Sequence, residues 1–235
     1  MNDRKSNFRF KEFTVVHNQS AMKVGTDGVL LGAWAAIDQA DSILDVGTGT
    51  GLIALMAAQR NARAGIHAIE PDEPAYAEAR ENFQNSPWKE RLTIEKAKLQ
   101  EHIGMYQAIL TNPPYFHPGK NNKESSRNQA RQMHELSQMD IIEAMPRLLT
   151  DAGNLHIILP VKEGKDFMDL ALVNGLFLNR HCLVYSDHDQ AVRRMMSFGK
   201  TPGRIHQEHL FIRNNGEYTE EYKALTSPFY LELKG

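Results

Sequence analysis

The sequence predicts an α/β fold in which helices cover both faces of a mainly parallel sheet. From residue 42 onward, short apolar runs alternate with longer helical patterns, and a glycine-rich turn joins the first such pair. The last two apolar runs flank a turn-like stretch, which indicates a hairpin with antiparallel character at one edge. We therefore expect a seven-stranded sheet, preceded by a short N-terminal hairpin and helix.

The elements follow one another in a regular order. The N-terminal segment predicts a short hairpin and then a helix from Asp27. Pro and acidic residues at the start of "PDEPAYAEARENFQNS" are helix-start signals. A polar stretch at 117–135 is long for a compact domain, so it is either functional or mobile. The strands expected before this stretch are SILDV, GIHAIE, LTIEKA and YQAIL.

After the polar stretch, a helix is expected around "QMDIIEAMPRLLTDAG", with Gly153 as its stop. The strands "NLHIILP" and "FLNRHCLVYS" follow, separated by another helix. The runs "MMSFGKT" and "EHLFIR" are expected to form the final hairpin around "PGRIHQ". We predict that residues 1–41 form an extension packed on a domain of residues 42–235, so that the whole is effectively one compact domain.

Composition restricts the class of protein. The 41% hydrophobic and 24% charged content is ordinary for a soluble globular protein. The start lacks the apolar stretch of a signal peptide, and no window approaches a membrane span, so we expect a cytoplasmic protein. One cysteine, Cys182, excludes an internal disulfide and a cysteine-rich zinc site, and its apolar surroundings predict a buried, inert thiol.

The formal net charge of −2 conceals three basic segments, 1–12, 118–134 and 193–213. A pI near neutrality therefore does not exclude a polyanionic partner. Solvated charge without a partner is the other interpretation of these segments.

The segment "LDVGTGTG" combines an acid at the end of a strand with glycines in the turn to a helix. Asp45 precedes Gly47, Gly49 and Gly51, and Glu70 ends the second strand. Glycines let the backbone approach a ligand closely. An acid at the end of the second strand can hold ribose hydroxyls. The dinucleotide fingerprint requires its third glycine one position later, so a nucleotide-like ligand without a pyrophosphate fits better. An ordinary βα turn without a ligand is the alternative.

The segment "AILTNPPYF" ends the fourth strand with an amide, two prolines and an aromatic residue. Asn112 is expected at the carboxyl edge of the sheet, where ligands bind in open α/β folds. Its side-chain oxygen and the Pro113 carbonyl can accept hydrogen bonds from an exocyclic amino group, which stabilises positive charge developing on that nitrogen. Tyr115 offers a face on which a flipped base can stack. The alternative is a stiff turn without a ligand.

Together, "DVGTGTG" and "NPPY" resemble the S-adenosylmethionine-dependent methyltransferases of Rossmann-like fold that act on amino nitrogens. Their targets are adenine N6, cytosine N4, guanine N2 or a glutamine amide. The resemblance implies that the glycine loop contacts the methionine end of the cofactor and that Glu70 binds its ribose. It implies catalytic roles for Asn112, Pro113 and Tyr115, and Asn112 also belongs to the cofactor side. The cofactor-side residues carried over from these motifs are Asp45, Gly47, Gly49, Gly51, Glu70 and Asn112.

The segment "AMKVGTDGVLLGAW", residues 21–34, resembles the corresponding part of the bacterial valine-tRNA adenine-N6 methyltransferases, and the similarity runs over nearly the whole chain. This implies methyl transfer from S-adenosyl-L-methionine to N6 of the adenine beside the anticodon, at position 37. It also makes Lys23, Thr26 and Asp27 cofactor-side candidates. Helix capping by Thr26 or Asp27 is the other interpretation. We expect a tRNA partner, no membrane and no obligate protein partner.

One departure from the related enzymes concerns Lys98. Such enzymes often place an acid or amide there to hold the cofactor's adenine, and a lysine cannot accept that hydrogen bond. A backbone carbonyl or the neighbouring Gln100 is the alternative group to hold the cofactor's adenine. The ten histidines show no zinc-ligand spacing, so we expect no metal and assign them to structure or RNA contacts. The residues expected to contact RNA are Lys120, Lys123, Arg127, Arg131, Arg193 and Arg194.

Other functions share parts of this pattern. Glutamine N5 methyltransferases of release factors carry NPPY, but they have a helical domain ahead of the catalytic one, whereas about forty residues precede the loop here. A DNA adenine methyltransferase usually needs a target-recognition domain. Adenine-N6 or guanine-N2 methylation of other RNA stays open. A cofactor-binding RNA module without catalysis would not need the acceptors of NPPY.

Overall fold

A computed structural model describes residues 6–18, 24–114, 136–187 and 190–232 of the chain. In this part the α/β prediction is confirmed, because an eight-stranded sheet carries helices on both of its faces. None of the helices in the described ranges combines the length and the apolar character that crossing a lipid bilayer requires.

The N-terminal segment forms the expected hairpin and helix. Strand β1 (Asn7–Arg9) pairs antiparallel with β2 (Thr14–Val16), and helix α1 (Thr26–Trp34) follows. The hairpin packs on two distant parts of the chain. Asn82 bonds both the amide and the carbonyl of Val16, and the amide of Lys11 donates to the carbonyl of Phe229.

Within the described residues, the central sheet contains eight strands. They are β3 (Ser42–Val46), β4 (Gly65–Ile69), β5 (Leu92–Glu95), β6 (Tyr106–Thr111), β7 (Leu149–Pro160), β8 (Phe177–Tyr185), β9 (Ala191–Gly199) and β10 (His206–Phe211). The remaining helices are α2 (Leu52–Arg60), α3 (Glu73–Gln84), α4 (Gln138–Leu148), α5 (Val161–Val173) and α6 (Glu220–Thr226). A 3₁₀ turn at Lys89–Arg91 precedes β5, and a small hairpin pairs β11 (Arg213–Asn214) with β12 (Glu217–Tyr218).

The strand order is β5-β4-β3-β6-β7-β9-β8-β10. All neighbouring pairs are parallel except those that involve β9, which runs antiparallel to both β7 and β8. The chain moves from β3 outward to β4 and β5, and then returns to β6 on the other side of β3. This reversal opens a crevice at the carboxyl ends of β3 and β6, which is where open α/β sheets bind ligands.

The predicted hairpin between "MMSFGKT" and "EHLFIR" is wrong. The hairpin forms one step earlier, between β8 and β9, which a short turn connects. Because β9 inserts between β7 and β8, both of its edges are occupied. Strand β10 therefore pairs in parallel with the outer edge of β8 and becomes an eighth strand rather than half of a hairpin.

The helix expected to stop at Gly153 ends earlier, at Leu148. The following residues already belong to β7, where Leu149 lies opposite Tyr106 and the register then shifts. A Cβ at Gly153 would lie 2.8 Å from the Tyr106 carbonyl oxygen. Gly153 is therefore required by the close approach of β6 and β7, not by a helix end.

Two hydrophobic cores fill the space on either side of the sheet. Ile43 and Leu44 are neighbours on β3 and point into different cores. Side chains of α1, α2 and α3 fill the first core, and those of α4 and α5 fill the second. Cys182 is buried as expected, and burial raises the pKa of its thiol to about 12, so the thiolate is strongly disfavoured.

Candidate active site

A cleft of about 310 Å³ opens at the carboxyl ends of β3 and β6. Three segments and one side chain from a fourth element form it: the start of α1, the glycine loop with the first turn of α2, the turn after β6, and an arginine of β9. Its lining residues are Gly25, Thr26, Asp27, Gly28, Gly47, Thr48, Gly49, Thr50, Leu52, Ile53, Asn112 and Arg193.

The three predicted loop glycines all have left-handed backbone, with φ of 66° at Gly47, 57° at Gly49 and 83° at Gly51. Gly47 and Gly49 line the cleft, and a Cβ added at Gly47 would meet no atom of the described chain within 4 Å. Gly51 has a different role, since a Cβ there would lie 2.5 Å from the ring of Phe83. Two glycines thus present backbone to the cleft, whereas the third permits packing against α3.

Asp45 holds the glycine loop in shape. Its Oδ2 accepts hydrogen bonds from Thr48 Oγ1 at 2.5 Å and from the amide of Ala54 at 3.1 Å. Its Oδ1 is buried and has no hydrogen-bond partner among the described residues. Burial raises the pKa of this carboxyl from 3.8 to about 7. The carboxylate therefore ties the loop to the first turn of α2.

Glu70 fixes the same loop from the neighbouring strand. It follows β4 directly, and its Oε2 accepts from the amide of Gly49 at 2.9 Å. Its Oε1 accepts from the amide of Asp72 at 3.0 Å, and burial raises the pKa of the carboxyl. The sequence prediction that an acid ends the second strand beside the loop is thus confirmed in position, and contact with a ribose stays a prediction.

The turn after β6 places Asn112 in the cleft, opposite the glycine loop. Thr111 Oγ1 donates to the carbonyl of Val46 at 3.1 Å, which fixes the start of the turn to β3. The Asn112 Oδ1 is buried and has no hydrogen-bond partner in the described part of the chain. Pro113 is buried and Pro114 is exposed. Tyr115 lies outside the described residues.

The start of α1 forms the third wall. Its N-cap is Gly25, with φ of −125° and no side-chain cap, so the interpretation of Thr26 or Asp27 as the N-cap is wrong. Both residues line the cleft instead. Asp27 Oδ2 accepts a hydrogen bond from Arg193 Nε at 2.7 Å, which pairs a predicted cofactor residue with a predicted RNA residue. Lys23 lies outside the described residues.

The two predicted RNA-binding arginines of β9 differ in their surroundings. Arg193 lines the cleft. Arg194 instead contacts α5 and β8: its Nε donates to the carbonyl of Val161 at 3.1 Å, and its Nη1 lies 3.0 Å from His181 Nε2. The other four candidates, Lys120, Lys123, Arg127 and Arg131, lie outside the described residues.

The structure adds an aromatic patch, Tyr185, His209 and Phe211, that the sequence analysis missed. The rings of Tyr185 and Phe211 stack at 4.4 Å with 15° between their planes, and the Tyr185 hydroxyl lies 3.1 Å from His209 Nδ1. Phe211 is 44% exposed. Because β8 and β10 run in the same direction as β6, their carboxyl ends lie at the edge that also carries Asn112. No local signal reveals the patch, since it depends on the pairing of β8 with β10.

After β5, the groups that the sequence analysis considered for binding a cofactor adenine already have partners within the protein. The Lys98 carbonyl accepts from the amides of Glu101 and His102, each at 3.1 Å. The Gln100 side chain hydrogen-bonds the carboxylate of Asp140.

Comparison with known families identifies the domain type. The profile of the methyltransferase small domain matches residues 7–175, which covers both the glycine loop and the NPPY turn. The match therefore includes every described wall of the cleft except the arginine from β9.

Curated proteins similar over nearly the full length carry one name, tRNA1(Val) (adenine(37)-N6)-methyltransferase. The one from Pseudoalteromonas translucida is 40% identical over 232 residues, spanning 97% of this chain and 100% of the relative. That from Histophilus somni strain 2336 is 40% identical over 237 residues, spanning 98% and 99%. That from Tolumonas auensis is 38% identical over 230 residues, spanning 96% and 97%.

Solved structures share the architecture at low sequence identity. A predicted O-methyltransferase, Atu636 from Agrobacterium tumefaciens, superposes with a TM-score of 0.65 at 18% identity, covering 86% of this chain and 96% of that one. TYW2 of Pyrococcus horikoshii, in complex with MeSAdo, gives a TM-score of 0.60 at 13% identity, covering 85% and 73%. These likenesses show the Rossmann-like methyltransferase fold.

Proposed function

Since the chain belongs to the tRNA1(Val) (adenine(37)-N6)-methyltransferase family, we propose that it methylates N6 of adenine 37 in the anticodon loop of a valine tRNA, with S-adenosyl-L-methionine as donor. The observation that supports this most directly is the Asn112 Oδ1, which is buried in the cleft that contains the glycine loop and has no hydrogen-bond partner among the described residues. A buried acceptor without a donor is costly, and the N–H groups of an incoming amino group would supply the missing donors.

Two features of the cleft support binding of the proposed cofactor. Gly47 and Gly49 expose backbone that can approach the methionine end, and Asp27, which pairs with Arg193, supplies a carboxylate at the cleft wall. When bound, the cofactor supplies a methyl group whose bond to the sulfonium sulfur breaks as the bond to N6 forms, the electron pair of the broken bond staying on sulfur. The chain's part is to hold the two reactants in line.

Asn112 and Pro113 would orient the amino group for attack. The Asn112 side-chain oxygen and the Pro113 carbonyl accept hydrogen bonds from the two N6–H groups, which directs the nitrogen lone pair towards the methyl donor. As N6 becomes positively charged, both acceptors stabilise that charge without reorganising. The methylated nitrogen then loses a proton to solvent, so a strong base is not required. Tyr115 is our candidate for the stacking platform.

We propose that RNA crosses the carboxyl edge from the cleft to the aromatic patch. Arg194 supplies a positive charge beside β8, and the exposed Phe211 supplies a ring face on which an unstacked loop base can lie. The basic segment 118–134 stays our candidate for further phosphate contacts.

The test is incubation with unmodified total tRNA and methyl-labelled cofactor, followed by digestion to nucleosides. We expect the label in N6-methyladenosine. Asn112→Ala should lower kcat by about 100-fold or more while cofactor binding persists, because the lost acceptor acts on the developing charge. Asn174→Ala, an exposed position at the end of α5, is the matched control.

Four results would contradict the proposal. Label only in protein would indicate a glutamine target, and label in N2-methylguanosine would indicate a guanine target. Cofactor binding without any transfer would indicate an RNA-binding module. Full activity of Asn112→Ala would exclude Asn112 from catalysis.

A further inference from the structure

Three residues from different elements form a cluster outside the cleft, which we name the His67–Glu95–His102 cluster. His67 lies on β4, Glu95 ends β5, and His102 lies in the segment before β6. One ligand atom from each lies within 4.8 Å of the others. We propose that this cluster binds one divalent transition-metal ion, with Zn²⁺ as the best match.

The distances are compatible with a shared ion. Glu95 Oε2 lies 2.8 Å from His102 Nδ1 and 3.5 Å from His67 Nε2. Ligands about 2.0–2.2 Å from a tetrahedral zinc ion stand roughly 3.4 Å from one another. Small rotations of the side chains therefore suffice to place an ion between the two nitrogens and the carboxylate oxygen.

The outward nitrogens of both rings already have the partners that metal-bound histidines require. His67 Nδ1 lies 2.7 Å from Thr93 Oγ1, and His102 Nε2 lies 2.9 Å from the Tyr106 hydroxyl. When these nitrogens donate to the two hydroxyls, the inward nitrogens present lone pairs towards the same carboxylate oxygen. A cation stabilises that arrangement, and such outer hydrogen bonds orient ligating histidines in known metal sites.

The geometry of His67 Nε2 leaves room for a closer ligand. This nitrogen is buried, and it faces Glu95 Oε2 at 3.5 Å, which is too long for a strong hydrogen bond. A weakly paired buried nitrogen is costly, and a metal bond would satisfy it. The Glu95 side chain is 50% exposed, so solvent can reach a fourth coordination position.

The donor set selects the class of ion. Two imidazole nitrogens and one carboxylate oxygen suit Zn²⁺ and other first-row transition metals, whereas Mg²⁺ and Ca²⁺ prefer oxygen ligands. The cationic side chains near the cluster have other partners: Lys96 pairs with Glu73, and Arg147 donates to the carbonyls of Leu99 and His102.

A metal here would reinforce the edge that carries Glu70. The Glu95 carbonyl accepts from the amide of Glu70 at 3.1 Å, so the cluster and the glycine loop are joined through one peptide contact. An ion that binds only the folded state stabilises it by an amount that grows with the logarithm of the ion's concentration divided by its Kd. The proposed role is therefore structural and does not depend on the proposed methyl transfer.

The experiment uses the full, untagged chain after chelator treatment and dialysis. Titration with ZnCl₂ should bind one metal equivalent at this cluster and raise the Tm, and CoCl₂ should produce visible d–d absorption bands typical of nitrogen ligation. His67→Gln should weaken the binding of this equivalent at least about tenfold and abolish the Tm increase. His206→Gln, an exposed position at the start of β10, is the matched control.

Glu95→Gln provides a second variant at a half-exposed position, so that loss of binding can be separated from loss of fold by circular dichroism. If both variants bind zinc as tightly as the unchanged chain, other residues hold the ion and the proposal is wrong. Absence of binding to the unchanged chain would identify a hydrogen-bonded cluster only.

Discussion

Asp45 and Glu70 show how two buried acids fix the glycine loop through hydrogen bonds to its backbone and side chains. Both carboxylates accept hydrogen bonds from the glycine loop or its flanking helix, and burial raises the pKa of both. For Asp45 the pKa reaches about 7, so this group titrates near neutral pH. A cationic ligand would favour its ionised form, and we expect cofactor affinity to increase as the pH rises through this value.

Asp45→Asn should change how stability depends on pH. Because the pKa of Asp45 is about 7 in the folded state against an ordinary 3.8, the folded state binds more protons between these values. The contribution of Asp45 to the free energy of unfolding therefore falls as pH rises from about 4 to about 7. Asparagine keeps an oxygen acceptor for Thr48 and Ala54 but does not titrate. The free energy of unfolding of the variant should therefore not show this fall with pH.

The measurement is urea unfolding of both proteins at several pH values. Asp166→Asn, an exposed substitution on α5, should leave the slope unchanged. Identical slopes for Asp45→Asn and the unchanged chain would show that the buried carboxyl is ionised throughout this range.

At the scale of elements, aromatic side chains attach the N-terminal hairpin to the C-terminal part of the chain. The Phe10 ring stacks on Phe13 at 4.6 Å and lies 5.8 Å from Tyr230, near the other end of the described chain. Phe10 also forms a β-bridge with Tyr230. We propose that residues 1–41 therefore unfold together with the remaining domain, in one transition.

Phe10→Ala should lower the free energy of unfolding by about 3–5 kcal/mol, since it removes a fully buried ring and leaves a cavity. Urea unfolding followed by tryptophan fluorescence measures this loss. Phe8→Ala, at a half-buried position in the same hairpin, should cost less. Two separate transitions in the unchanged chain would contradict the single folding unit.

Across the whole molecule, parallel strands bring distant residues to one edge. Asn112 after β6, Arg193 and Arg194 on β9, and the aromatic patch on β8 and β10 all lie towards the carboxyl ends of β6, β8 and β10. The proposed catalytic turn and the proposed RNA surface therefore share one edge of the sheet, and Arg193 lines the cleft at that edge.

Phe211→Ala should raise the KM for tRNA about tenfold while kcat and cofactor affinity stay unchanged, since base stacking on an aromatic ring contributes about 1–3 kcal/mol. Arg194→Gln should weaken tRNA binding and reduce the salt dependence of that binding by about one unit of slope. Leu172→Ala, an exposed apolar position on α5, is the control for Phe211. An unchanged KM in both variants would place the RNA elsewhere.

The sequence by itself determined the features that local chemistry encodes. Alternating apolar patterns predicted the strands β3 to β10, although not the pairing of the last two. The segment "DVGTGTG" predicted a glycine-rich turn at the end of β3, and "NPPY" predicted an acceptor at the carboxyl edge. Each depends on backbone preferences and side-chain chemistry within a few residues. The family resemblance likewise rested on short contiguous motifs.

Only the tertiary structure decided which distant residues meet. The insertion of β9 between β7 and β8, the Arg193–Asp27 ion pair and the His67–Glu95–His102 cluster all depend on strand order. Local sequence does not encode strand order, because every strand edge carries the same backbone donors and acceptors. His67 and His102 are not spaced as zinc ligands along the chain, and only the pairing of parallel strands brings them together.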